Sequence, residues 1–160
     1  MGAFQCSTKQ ELETLQITIG GAVDEDVRFP QLTLSAVKKI VFDFKELNLI
    51  NSCGIREWVV WLRNIPASIE VLYRNCPRIL IEQINMIEGL MPANGYIESF
   101  YLPYYCEECD KQTMLLCERG KDYTRSGMET KEFVPCSKCQ GNSEIDVIES
   151  KYLKFIKQYG

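Results

Sequence analysis

Two short cysteine pairs, Cys106-Glu-Glu-Cys109 and Cys136-Ser-Lys-Cys139, constrain this chain more than any other feature. Each C-x-x-C run turns two sulfurs to one side of a tight knuckle, and 26 residues lie between the two runs. A fold that brings the knuckles together closes a tetrahedral site of four thiolates. The insert must then double back. The expected device is a β-hairpin of 114–117 against 132–135, with Gly120 and Ser126-Gly127 supplying turns.

Histidine is absent from the whole chain, which leaves only thiolate or carboxylate to hold a metal and removes the commonest general base. The first ten residues lack a basic region followed by an apolar one, so no secretory signal is read. The eight cysteines are therefore expected to be cytosolic thiols serving metal or redox chemistry rather than disulfides. A redox pair would follow a strand and open a helix, which neither run does; an iron–sulfur cluster is a chemical alternative for four thiolates. The double knuckle resembles a zinc ribbon. The resemblance implies a structural Zn2+ held by Cys106, Cys109, Cys136 and Cys139, with Lys138 as the basic knuckle residue and Gly141 letting the chain turn out. Cys117 follows apolar neighbours and reads as a small buried residue.

Many ribbons bind nucleic acid, and that is the alternative function. Between Tyr104 and Glu144, six basic residues meet eight acidic ones, and the formal charge of the chain is -4. Four thiolates on a divalent metal add a further net charge of about -2. Phosphate contact needs clustered Lys and Arg, so a structural or protein-binding ribbon is expected.

The second informative stretch is 40–62. Ile40, Val41, Phe42 and Phe44 have the β-branched and aromatic character of a central strand. Ile55, Trp58, Val59 and Leu62 recur at helical spacing and form one apolar face. Between them lies the polar turn Asn51-Ser52-Cys53-Gly54. Ser52 has two readings there: the N-cap of the helix, or a phosphorylation site beside free backbone N–H groups and the positive end of the helix dipole.

This stretch resembles the STAS domain of anti-sigma-factor antagonists. That motif is a strand ending in Asp-Leu, a hydrophobic spacer, then Asp-Ser-Ser/Thr-Gly opening a helix. Here Phe42-Asp43-Phe44 ends the strand, Asn51 takes the acidic position and Cys53 the second hydroxyl position. The resemblance implies a small mixed β-sheet with flanking helices and regulatory protein–protein interaction in a bacterial cytoplasm. It further implies a signalling partner of the anti-sigma or kinase type, and phosphorylation of Ser52. The expected partner surface is Asn51, Ser52, Cys53 and Gly54 with Arg56, Val60 and Arg63 from the exposed side of the helix. No Gly-rich phosphate loop or recognisable carboxylate pair accompanies these residues, so no catalysis is expected.

The rest of the chain fills an α/β order. Residues 1–10 are expected to be loosely held. A strand is predicted at 15–19, punctuated by Gly20-Gly21, with a second short strand at 22–23. Pro30 limits 29–34 to one helical turn at most. A strand at 69–73, a helix from Pro77 with a wide covered apolar surface, and a last strand at 96–102 follow. Ile145, Ile148, Tyr152, Phe155, Ile156 and Tyr159 predict one terminal amphipathic helix. Two parts result: a STAS-like domain over 11–103, and a zinc ribbon with its terminal helix over 104–160. No apolar run is long enough for a membrane span.

Overall fold

The computed structural model describes residues 2–160, and it is a mixed α/β fold of two larger sheets and a small two-stranded one, with flanking helices. In chain order the elements are β1 (Gln5–Glu11), β2 (Thr14–Val23), β3 (Lys39–Asp43), β4 (Leu47–Ile50), α1 (Ser52–Leu62), β5 (Glu70–Arg74), α2 (Arg78–Met86), β6 (Tyr96–Ile97) and β7 (Ser99–Cys106). Then come β8 (Lys111–Glu118), β9 (Tyr123–Thr124), β10 (Gly127–Met128), β11 (Phe133–Pro135), β12 (Asn142–Ile145), α3 (Glu149–Tyr152) and α4 (Ile156–Tyr159).

The first sheet runs β1-β2-β3-β5-β6, with β4 paired to β2. β1 is antiparallel to β2; the remaining pairs are parallel. The loosely held N-terminus expected above is instead an edge strand, paired to β2 from Gln5↔Gly20 to Glu11↔Thr14. Its side chains are polar because an edge strand with one wet face needs little apolar content. Gly20 and Gly21 do not end β2. Gly21 adopts φ +73 and carries a register shift at which β2 leaves β3 and takes up β4. Any Cβ there would lie 2.0 Å from the Ala3 carbonyl oxygen, so only glycine fits. The spacer before the Asn51 turn thus contains a strand of its own, and 24–38 remains irregular without a helical turn.

α1 lays Ile55, Trp58, Trp61 and Leu62 on β3 and β5. Trp58 meets Phe42 at 5.0 Å and Phe44 at 5.5 Å between ring centroids, while Phe29 stacks on Trp61 at 4.5 Å. The indole N–H of Trp58 donates to the Tyr73 hydroxyl, whose own proton goes to the Leu90 carbonyl at 2.8 Å. Burial of these two polar tips therefore leaves neither unsatisfied. α2 starts after Pro77 and buries Leu80, Ile81 and Ile84, but Met86 is 70% exposed. Its apolar surface is narrower than the sequence suggests.

The last strand of the first sheet breaks at Glu98. β6 pairs two residues with β5, and β7 passes into the second sheet, ordered β11-β12-β7-β8. The division expected at 103/104 falls inside β7, and one hydrophobic core runs from Leu15 to Tyr159 across it. The predicted terminal helix is two short helices, α3 and α4, and Ile145 belongs to β12. Both helices pack on Phe100, through Tyr152 and Phe155. Among the described residues no helix is long and apolar enough to cross a membrane.

Candidate metal centre and docking turn

The insert between the cysteine pairs folds back on itself only in the short β9–β10 pair, with Thr124 opposite Gly127 and Tyr123 opposite Met128. β8 pairs with β7 along all eight residues, and β11 pairs with β12. The expected pairing of 114–117 with 132–135 is thereby overturned, because β7 continues straight out of the first sheet and captures β8 as its nearest neighbour in sequence. Each knuckle is consequently the turn of its own hairpin: Cys106–Cys109 joins β7 to β8, and Cys136–Cys139 joins β11 to β12. Both close in the same way, with a left-handed residue directly after the second cysteine, Asp110 at φ 56 and Gln140 at φ 63. The chain turns out at Gln140, not at Gly141.

Pairing of β12 with β7 at Glu144↔Tyr105 and Ile145↔Tyr104 brings the two turns face to face. The four sulfurs then lie within 4.8 Å of one another. Across the knuckles, Cys106 and Cys139 are 3.6 Å apart and Cys109 and Cys136 are 3.5 Å apart. A tetrahedron with Zn–S bonds of about 2.3 Å has edges of about 3.8 Å, so the donor set fits a four-coordinate metal of that kind. Four thiolates fill such a site and leave no open position for water, which is the arrangement of a structural centre. Backbone N–H groups support the sulfurs: Lys138 donates to Cys136 and Gly141 to Cys139, both at 3.4 Å. The N–H groups of Cys139 and Lys138 bring the Cys136 thiol down to about 6, whereas burial and the neighbouring sulfurs push Cys109 up to about 12. Thr113 on β8 accepts from the Ser137 backbone at 3.3 Å and ties the second knuckle to the first hairpin. Cys117 is buried, as its neighbours imply.

The turn at 51–54 is built by contacts distant in sequence. Asn51, not Ser52, is the N-cap of α1: its side-chain oxygen accepts from the Gly54 N–H at 3.0 Å. The cap reading of Ser52 is corrected on that geometry. The Asn51 side-chain amide nitrogen donates to Glu25 at 2.9 Å, and the Asn51 backbone N–H donates to the Val23 carbonyl at 3.1 Å. Glu25 lies in the acidic turn Asp24-Glu25-Asp26, and no local signal in the sequence marks it as a partner of Asn51. The hydrogen bond from Asn51 holds the Glu25 carboxyl below its ordinary value. Gly54 is fixed by packing: a Cβ would lie 2.0 Å from the Val23 carbonyl oxygen and 2.8 Å from the Asp24 nitrogen. The first turn of α1 can press against the end of β2 only through glycine.

These contacts leave Ser52 exposed at the first helical position. Arg56, Val60 and Arg63 are exposed along the same helix, with Val60 at 50%. Asn51 and Cys53 are half-buried and Gly54 is buried, so the outer stripe of the expected partner surface is Ser52, Arg56, Val60 and Arg63. Searches of protein-family models, curated proteins and solved structures return no match to this chain.

Proposed function

We propose that the chain is a non-catalytic regulatory module of the STAS, anti-sigma-factor-antagonist type. It docks a signalling protein through the outer stripe of α1, on a scaffold stapled by Zn2+ at Cys106, Cys109, Cys136 and Cys139. The observation that carries the reading is the turn itself. Asn51 and Gly54 are locked by the cap and by contact with Val23, yet Ser52 between them is exposed at the positive end of an 11-residue helix. A rigid frame around one free hydroxyl suits reading by a partner protein. The mixed sheet with its parallel β2-β3-β5 run, followed by the turn and α1, supports the STAS-like assignment of the first part. Phosphorylation of Ser52 would add nearly two negative charges within reach of Glu25 and next to Asn51, competing with their hydrogen bond and changing partner choice. A cytoplasmic setting keeps the thiolates reduced for the metal.

The test is partner capture from cells with wild-type, Ser52→Asp and Val60→Asp baits, followed by quantitative mass spectrometry. A signalling protein held by the wild type and lost from both variants supports the reading. Unchanged affinity for every captured protein in both variants sinks it. Native mass spectrometry of the same preparations reads one zinc per chain and any phosphate on Ser52.

A further inference from the structure

β8 is hydrogen-bonded to β7 along its full length and is the outermost strand of the second sheet, so its other edge carries unpaired backbone groups. Edge strands in folded proteins are blunted by inward charges, proline or bulges, because a bare edge recruits another strand. β8 has none of these at its centre. Met114, Leu115 and Leu116 are consecutive and 39%, 36% and 38% exposed, while the charges Lys111 and Glu118 sit only at the ends. Met114 and Leu116 lie opposite Pro103 and Tyr101 on one face of the sheet, and Leu115 lies opposite Leu102 on the other.

The geometry points to a second copy of this chain as the occupant: two β8 edges pair antiparallel about a two-fold axis at Leu115. A two-fold axis through an antiparallel pair puts opposed residues on the same face, so only registers that shift by two residues close. The register centred on Leu115 sets Leu115 against Leu115 and Met114 against Leu116 twice, and leaves Glu118 beside Gln112. Centring on Met114 sets Leu115 against Thr113 and Leu116 against Gln112, so both leucines lose apolar partners. Centring on Leu116 sets Met114 against the charged Glu118. In the central register Lys111 faces Arg119, whose guanidinium already lies 4.3 Å from the Tyr96 ring centre. Apolar matching therefore selects one closed pairing, in which every exposed apolar residue of the strand meets another. An eight-residue strand is about 27 Å long, and joining two such edges buries on the order of 1,000 Å2, near the lower limit of a specific interface. Association is expected at roughly micromolar concentration. This surface lies outside the α1 stripe and stands whether or not that stripe docks a partner.

The test is sedimentation velocity of the full metal-loaded chain across about 1 to 500 µM. A monomer–dimer shift is expected, and Leu115→Lys should reduce the dimer fraction more than ten-fold at the top of the range, with far-UV circular dichroism and metal content unchanged. A photo-crosslinking residue at position 115 should give a covalent dimer joined from 115 to 115, and the same residue at position 12 should give none. A chain that stays monomeric throughout, a dimer that survives Leu115→Lys, or crosslinks from 115 to another protein only would each overturn the inference.

Discussion

The two sheets hold their shape by different means. In the first, Phe29, Phe42, Phe44, Trp58, Trp61 and Tyr73 pack ring against ring beneath α1, with every buried polar tip among them hydrogen-bonded. In the second, the ring-on-ring packing is at the base, where Phe100, Tyr152 and Phe155 meet. Towards the knuckles the buried side chains dwindle to Tyr104, Val134, Cys106 and Cys136, while Met114, Leu115, Leu116 and Phe133 face outward. Apolar burial fixes the first sheet, while the far end of the second gathers four cysteines placed to hold a metal. A short sheet with little core gains little to offset the entropy of ordering its residues, so a metal bound there would contribute folding free energy.

Removing the metal should separate the two regions most sharply. Apparent binding free energies of structural zinc are about 10–16 kcal/mol at neutral pH. Chelation, or Cys136→Ser, should abolish amide-exchange protection in β11, β12 and the β7–β8 turn while β2, β3 and β5 stay protected. Loss of protection everywhere at once would mean that the contrast is false. The converse change is Trp58→Ala, which should cost about 3–5 kcal/mol of global stability in denaturant titration and leave one metal per chain. Gly54→Ala forces the first turn of α1 off β2 and should cost about 1–3 kcal/mol, read in the same titration. Asn51→Ala removes the cap and frees Glu25; a loss of about 1 kcal/mol is expected, and a second substitution, Glu25→Gln, should add less in that background than alone.

The stretch around α1 was legible because its signals are local. A β-branched and aromatic run, a polar turn and a 3.6-residue apolar period each report one element without reference to the remainder of the chain. The knuckles were legible for the same reason, since both ligands of each pair lie within four residues. What escaped depends on partners far away. β1 is polar and becomes a strand only because β2 offers it an edge. The cap falls to Asn51 instead of Ser52 because Val23 and Glu25 anchor it from 26 or more residues upstream. β8 pairs with β7 and not with 132–135 because β7 extends beyond the first sheet, which no window of sequence around β8 reveals. The terminal apolar period was real, but its residues divide between β12, α3 and α4 to follow the curved surface around Phe100.

A single residue, Glu98, separates the last strand of one sheet from the first strand of the other. This makes the order of synthesis matter. When the first ninety-odd residues have been made, the first sheet has its strands but lacks the Cys76↔Phe100 bridge and the aromatic cluster that closes behind α2. Those arrive only with β7 and the terminal helices. The first half is therefore sealed only after β7 and the two short helices have been made, and a metal held between two locally formed hairpins would be the last tie fastened.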